Sequence, residues 1–526
     1  MHGELVVLGV LLAAGAFLVV AARSVVPYPI LMVAGGSALA FLPGASEFEL
    51  EPEVVLLAFL PPLLYSAAFF SSLQDLRANV RAIGLLAVGM VTVTMCSVAV
   101  VAHAVIPDMS WEAAFVLGAV VSPTDPVAAV EIATRVRAPR RLITIVEGES
   151  LINDSTGLIA YKFAVAAAAS GAFSLSEALG EFVLSAVAGV GIGLAVGYGI
   201  RLLRRSLDDA PTEIAISLIT PYLAYLPAEV LGVSAVLAAV VSGLYLGWYS
   251  PELVTPSTRI QAYAFWEVFV FALNATLFVL IGIQLHVALE ALQDRSAADL
   301  AIYGAAITAA VMLTRLLFVF PLDWIGQRIP TRGEPDRDHD PRLVGLIGWT
   351  GMRGAVSLAA ALAIPLETDA GAPFPDRDLI IFLAWTVIAV TIILPGLTLP
   401  KLIEVAGVYD DEETVAEQEA RARIAAADAA LARLDELGGE DWVRDETHAR
   451  MRGAYDFRKR RFEARLDDGD DGQIEQGSQA YQRLRREVLQ AERAEIVRQR
   501  NRGLITDEIM RRIERDLDLE DARLEI

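Results

Sequence analysis

Up to residue 405 the chain alternates between long apolar blocks and short polar segments. A helix rises 1.5 Å per residue, so roughly 20 mostly apolar residues cross a hydrocarbon layer about 30 Å thick. On that measure the pattern predicts helical spans over 4–22, 28–43, 53–70, 82–106, 111–132, 142–169, 177–203, 212–228, 233–249, 263–286, 297–325, 342–364 and 378–404. Thirteen such helices make an all-α polytopic membrane protein. Beyond residue 405 the pattern changes. Ala, Arg and Glu recur at helical spacing, as in Glu417 to Leu437 and Tyr481 to Ile513, with an apolar stripe and both signs of charge. The chain therefore divides into a membrane domain, 1–405, and a charged helical C-terminal domain, 406–526.

Loop charge tests the span count independently, because cytoplasmic loops carry the excess of Lys and Arg. With the N-terminus outside, the inner loops hold Arg23, Arg77, Arg81, Arg135, Arg137, Arg140, Arg141, Arg201, Arg204, Arg205, Arg259, Arg328, Arg332, Arg337 and Arg342. The outer loops hold only Arg295 and Arg377. One miscounted span would invert every later loop and abolish this asymmetry. The prediction is an external N-terminus and a cytoplasmic C-terminus.

Two spans carry interruptions that a plain anchor does not need. The fifth contains Ser122-Pro123-Thr124-Asp125-Pro126, where two prolines and an acid unwind the helix. The twelfth contains Gly348-Trp349-Thr350-Gly351-Met352-Arg353-Gly354, three glycines around an arginine. The breaks lie seven spans apart, so the two helices run in opposite directions. That is the arrangement of inverted repeats with crossed broken helices, here spans 1–6 and 8–13 with span 7 between them. Paired broken helices at matching places point to a transport site.

Ionisable side chains inside a bilayer cost at least a few kcal/mol each, so each needs a reason. The sixth span reads Glu147-Gly148-Glu149-Ser150-Leu151-Ile152-Asn153-Asp154-Ser155-Thr156-Gly157. Asp154 stands 12 residues beyond Leu142, roughly 18 Å into the span and near the midplane. Ser150 lies on its helical face; Glu149 and Asn153 share a neighbouring one. Thr124 and Asp125 belong at similar depth on the broken fifth span. Carboxylate, hydroxyl, amide and freed carbonyl oxygens together replace the water shell of a small hard cation such as sodium, the candidate ligands being Asp154, Ser150, Thr124 and Glu149. A proton satisfies the same carboxylate, so proton and cation compete for one site. Competition with alternating access suffices for exchange, and no enzyme reaction or cofactor is needed. Other roles fit some of these residues equally well. Glu149 also suits a structural pair with Arg315 or Arg353, which both need anionic partners, and Asp125 suits a cap on the second half of span 5. Lys162 suits a surface pair, and Glu147 a solvated acid at the inner mouth.

Composition narrows the class further. Hydrophobic residues make up 55% of the 526, mean hydropathy is +0.49, and 53 of the last 118 residues are charged against 55 of the first 408. A net charge of −22 argues against nucleic acid as a partner. The single cysteine, Cys96, excludes an internal disulfide and reads as a small core residue in the apolar run from Met90 to Val101. The five histidines show no metal-ligand spacing. No cleavage site follows the apolar stretch from Leu5 to Val20, so that stretch is read as a retained span. The acidic run Asp467-Asp468-Gly469-Asp470-Asp471-Gly472 lacks the spacing of an EF-hand and reads as a solvated turn.

Four strings carry a family resemblance: Phe59-Leu60-Pro61-Pro62-Leu63-Leu64-Tyr65, Ser122-Pro123-Thr124-Asp125-Pro126-Val127-Ala128, Glu147-Gly148-Glu149-Ser150-Leu151-Ile152-Asn153-Asp154 and Gly351-Met352-Arg353-Gly354-Ala355-Val356. In this order and in these spans they resemble bacterial sodium/proton exchangers, the electroneutral branch of the monovalent cation:proton antiporters, over residues 1–405. The resemblance implies a homodimer in the bacterial inner membrane, with a mobile six-helix core that moves the site across the bilayer and a role in pH homeostasis. It implies that Asp154 binds cation and proton alternately, with Asn153, Ser150 and Thr124 beside it. It makes Glu149 and Arg315 a buried ion pair, Glu149 being a direct ligand in some members, and sets Arg353 in the crossing region. The electrogenic branch has two adjacent aspartates where this chain has Asn153-Asp154, so one cation for one proton is expected.

Sodium or lithium is the leading cargo. Oxygen ligands alone do not separate these ions from potassium, so potassium/proton exchange is the alternative within the same mechanism. A membrane receptor that senses an ion and signals through the tail is the alternative of another class. An ion channel suits inverted broken helices and a titrating midplane acid less well.

Overall fold

The computed structural model describes residues 15, 26–40, 52–170, 175–207, 209–290, 292–328, 340–408, 412–466 and 473–522. The chain divides into two compact units, Met1–Tyr409 and Asp410–Ile526. In the first, the chain runs through α1 (Tyr28–Leu39), α2 (Pro52–Phe70), α3 (Leu73–Ala78), α4 (Val80–Val105), α5 (Trp111–Val121), α6 (Val127–Arg135), α7 (Arg140–Ser170) and α8 (Leu175–Arg204). It continues through α9 (Ala210–Val230), α10 (Ala235–Leu253), α11 (Pro256–Glu290), α12 (Ala297–Arg328), α13 (Pro341–Trp349), α14 (Ala355–Leu362) and α15 (Arg377–Ala406). Among the described residues there is no strand, only an isolated bridge between Glu367 and Pro373.

Each predicted span from the second onward coincides with a helix or, for the fifth and twelfth, with two half-helices separated by 122–126 and 350–354. The first, 4–22, lies outside the described residues apart from position 15, as does the acidic run 467–472. Among the described residues, five helices are long and apolar enough to cross a bilayer: Val80–Val105, Gly180–Arg204, Pro256–Glu290, Ala297–Gly326 and Arg377–Ala406. The 31-residue helix α7 is long enough too, but Glu147, Glu149, Asp154 and Lys162 dilute its apolar surface.

Local chemistry sets the ends of these helices. Ser110, Asp209 and Ser234 sit at N-caps, their side-chain oxygens accepting from Ala113, Thr212 and Leu237 respectively, at 3.0 to 3.2 Å. Gly407 ends α15 with φ 64°, a left-handed stop that glycine adopts without a Cβ clash. Between helices, small residues allow close approach where no water drives association. A Cβ on Gly36 of α1 would lie 2.1 Å from Val279 O of α11, and one on Gly282 of α11 would lie 2.3 Å from Val33 O of α1. These two helices touch backbone to backbone.

Two expectations fail here. Cys96 is exposed rather than packed in a core. An all-apolar helix gives no sign in its sequence of which side faces protein and which faces the surroundings. Arg204, expected in an inner loop, is instead buried at the end of α8, where Nε and Nη2 both donate to Oε2 of the wholly buried Glu213 at 3.3 and 2.9 Å.

The second unit contains α16 (Glu412–Leu437), α17 (Asp445–Ala464), α18 (Gln473–Asn501) and α19 (Asp507–Ala522). Among the described residues its buried apolar side chains are few: Ala420, Ala427, Phe462, Leu489 and Leu517. Charge pairs tie its helices instead. Lys459 meets Asp428 at 2.6 Å between α17 and α16, and Arg493 of α18 meets Asp518 and Asp521 of α19 at 2.8 and 2.9 Å.

Candidate ion-binding site

The two breaks are in contact. The Asp125 N–H donates to Met352 O at 2.9 Å, and Arg353 Nε donates to Val121 O at 3.0 Å. A broken helix exposes carbonyls at the end of its first half and N–H groups at the start of its second, with partial charges of opposite sign. Each kind finds its counter-charge here. Arg353, 1% exposed, also donates through Nη1 to Gly351 O, so its guanidinium faces the carbonyl ends of both first halves. Asp125 Oδ1 accepts from the Val127 N–H at 2.9 Å and caps α6. Its other oxygen lies against Gly354, the residue that precedes α14, where any Cβ would overlap it. The charge pair expected of Arg353 is thus not formed. Among the described residues it has no carboxylate partner, because carbonyl oxygens at the breaks supply the negative end.

The Glu149 carboxylate, 1% exposed, is held by Arg315 from α12 through two parallel bonds, Nη1 to Oε1 at 2.5 Å and Nη2 to Oε2 at 2.7 Å. Arg315 Nη2 also donates to Ile347 O of α13 at 3.2 Å. A bidentate, fully hydrogen-bonded pair is the geometry in which two buried charges are tolerated.

Thr124, in the first break, connects this pair to the rest of the site. Its hydroxyl donates to Glu149 Oε1 at 3.2 Å and accepts from Asn153 Nδ2 at 2.5 Å. Its carbonyl accepts from Ser150 Oγ at 2.9 Å. The chain Asn153, Thr124, Glu149, Arg315 is continuous, and it orients the Asn153 amide by fixing its nitrogen. Asn153 Oδ1 is then left buried with no hydrogen-bond partner. Asp154, 5% exposed, forms no side-chain hydrogen bond among the described residues. Unpartnered buried oxygens are costly unless a ligand satisfies them.

The sequence-predicted residues therefore gather at one place: Thr124 and Asp125 at the first break, Glu149, Ser150, Asn153 and Asp154 on α7, Arg353 at the second break, and Arg315 behind Glu149. No pattern in the sequence marks Thr391, whose hydroxyl accepts from the Arg353 N–H at 3.1 Å, or Ser155, whose hydroxyl meets that of Ser234 at 2.6 Å. Lone hydroxyls far apart in sequence leave no pattern. Lys162 forms the surface contact expected of it, 3.9 Å from Glu229.

Residues 8–405 match the family model described as sodium/hydrogen exchanger, transmembrane. This chain belongs to that family. Among relatives of the exchanger, an uncharacterized Na(+)/H(+) exchanger of Mycobacterium tuberculosis is 36% identical over 501 residues, covering 94% of this chain and 91% of its own. A sodium, potassium, lithium and rubidium/H(+) antiporter of Bacillus pumilus is 36% identical over 389 residues, 72% of this chain and 58% of its own. The sodium proton antiporter MjNhaP1 of Methanocaldococcus jannaschii shares the fold, with a TM-score of 0.61 at 18% identity over 77% of this chain and 100% of its own. The exchanger is thus a multi-pass membrane protein of the sodium/proton antiporter class, with an all-helical fold like that of MjNhaP1.

Proposed function

We propose that this exchanger trades one sodium or lithium ion for one proton, without moving net charge, and that Asp154 binds the two in turn. The observation that carries this reading is a difference among three acids. Glu149 is matched by Arg315 and Asp125 by the Val127 N–H at the start of α6, whereas the Asp154 carboxylate has no hydrogen-bonded partner among the described residues. One unmatched carboxylate neutralised by one monovalent ligand at a time gives a one-for-one cycle. Asn153 Oδ1, Ser150 Oγ and the Thr124 carbonyl supply neutral oxygens beside it. Ser150 gives its proton to that carbonyl, so its oxygen lone pairs are available to a cation.

Glu149 belongs to the scaffold in this reading, since both its oxygens are engaged by Arg315. Arg353 and Asp125 hold the two breaks together by neutralising their exposed carbonyl and amide ends. The bilayer is crossed thirteen times, in inverted repeats, with the N-terminus outside and the charged tail in the cytoplasm of a bacterial cell. The protein acts as a homodimer whose core carries the site between the two sides, in the manner of an elevator. The name of the Bacillus pumilus relative, which includes potassium and rubidium, favours a second reading in which potassium is also a cargo.

Inside-out membrane vesicles with an acid interior distinguish these. Sodium and lithium are expected to dissipate the pH gradient at a rate that a clamped membrane potential does not change. An equal response to potassium establishes the broader cargo. No response to any of the three cations contradicts the exchange.

A further inference from the structure

Hydroxyls on a membrane helix ordinarily bond to a carbonyl of their own preceding turn. On α7, Thr156 does so to Ile152 O and Ser170 to Ala166 O. Ser150 reaches the first break, inside the site. Ser155, next to Asp154, does neither. It is 3% exposed and its Oγ lies 2.6 Å from Oγ of Ser234, a residue 79 positions away on another helix group.

Ser234 is itself held firmly. It caps α10, its Oγ accepting from the Leu237 N–H at 3.2 Å, and its own N–H donates to Ser185 O of α8 at 3.3 Å. Gly189 of α8 packs on its carbonyl so closely that a Cβ there would lie 2.5 Å from it. The surface around the hydroxyl pair is apolar. Leu151 of α7 and Val356 of α14 share one buried cluster with Leu60 and Leu64 of α2 and Val236 and Val240 of α10. Apolar side chains slide past one another with little directional preference, whereas a hydrogen bond is satisfied in one register only. The other buried polar contacts of α7, Glu149 with Arg315 of α12 and Ser150 and Asn153 with Thr124, tie it to the helices around the breaks. Arg140 to Asp75 at 3.2 Å and Lys162 to Glu229 at 3.9 Å are partly exposed.

We propose that the Ser155–Ser234 hydrogen bond is a latch: it holds the ion-binding helix in one of its two access positions and sets how readily Asp154 is carried to the other. Ser155 and Ser234 are positioning residues and do not touch the cation. The latch rests on the alternating-access reading above. A shift of one helical turn, about 5.4 Å, separates the two oxygens and removes the bond. A neutral hydroxyl pair of this kind biases a two-state balance about fivefold, enough to tune turnover without arresting it.

The test uses the full chain with Cys96→Ala, which removes its single cysteine, and with Ser155→Cys and Ser234→Cys. The side chains they replace already meet at bonding distance, so a disulfide is within reach. Oxidation is expected to reduce sodium-dependent proton exchange in inside-out vesicles at least tenfold, and a thiol reductant to restore it. Each single-cysteine protein is expected to be indifferent to both reagents. Unchanged exchange by the cross-linked protein overturns the latch. The reduced protein's sodium response tests the exchange, whereas the ratio of reduced to oxidised rates tests the latch, so the two fail separately. Ser155→Ala, Ser234→Ala and the double variant provide a milder check. All three are to change turnover by the same severalfold factor while the sodium KM stays within twofold. Unchanged turnover in all three, or a shift in KM alone, contradicts the proposal.

Discussion

Arg315 grips Glu149 with both Nη nitrogens of its guanidinium, at 2.5 and 2.7 Å, and neither side chain is more than 2% exposed. The pair lies one hydroxyl away from Asn153 through Thr124. Its strength therefore bears on how the amide beside Asp154 is oriented as well as on how α7 and α12 are held together.

Removing one partner leaves a buried charge uncompensated, which costs about 3–5 kcal/mol. Arg315→Ala should accordingly lower the unfolding temperature of the detergent-solubilised protein and its yield. Adding Glu149→Ala should recover part of the loss, because the orphaned carboxylate is gone. Simple additivity of the two losses would contradict the pairing.

Gly354 tests the contact between the breaks. A Cβ at this position would overlap the Asp125 carboxylate, so Gly354→Ala must push apart the second break and the capping acid. Exchange in vesicles is expected to fall at least tenfold, on the order of 1.4 kcal/mol or more of barrier. Gly191→Ala is the control. Nothing lies within 4 Å of a Cβ there, and alanine favours a helix interior over glycine by up to about 1 kcal/mol. Equal activity in both variants would count against the contact.

Much of this arrangement is legible in the sequence, for definite physical reasons. Proline lacks the N–H a helical ladder needs and glycine weakens it, so the clusters of these residues at 122–126 and 348–354 mark the breaks. A buried Glu149 requires a counter-charge, and few arginines stand within predicted spans, so Arg315 and Arg353 were its candidates. The assignment of Arg353 failed because backbone carbonyls can neutralise an arginine and carry no sequence mark. An arginine at a helix end looks the same in sequence whether it meets water or a buried acid, so the burial of Arg204 is not legible there. The exposure of Cys96 is not legible because lipid is as apolar as a protein core, so hydropathy does not separate the two faces of a membrane helix.

The burial of the Arg204–Glu213 pair has a measurable consequence. Glu213 is wholly buried, so Arg204→Ala should destabilise the protein by about 3–5 kcal/mol. Arg205→Ala, its exposed neighbour, should change stability by no more than about 0.5 kcal/mol. In the tail, Arg493 is tied to Asp518 and Asp521 with partly exposed groups on both sides, and such screened pairs add little stability, so Arg493→Ala should leave the unfolding temperature nearly unchanged. Thermal unfolding of the three variants is expected to place Arg204→Ala far below the other two. Comparable losses would mean that burial does not govern these pairs.

The central claim is that Asp154 carries cation and proton in turn. Asp154→Asn keeps the shape of the side chain and removes its charge, so the protein should insert, fold and unfold at a temperature close to that of the parent. In inside-out vesicles with an acid interior, added sodium should then leave the pH gradient intact, where the parent dissipates it. Sodium-dependent loss of the gradient in a well-folded Asp154→Asn protein would contradict the account.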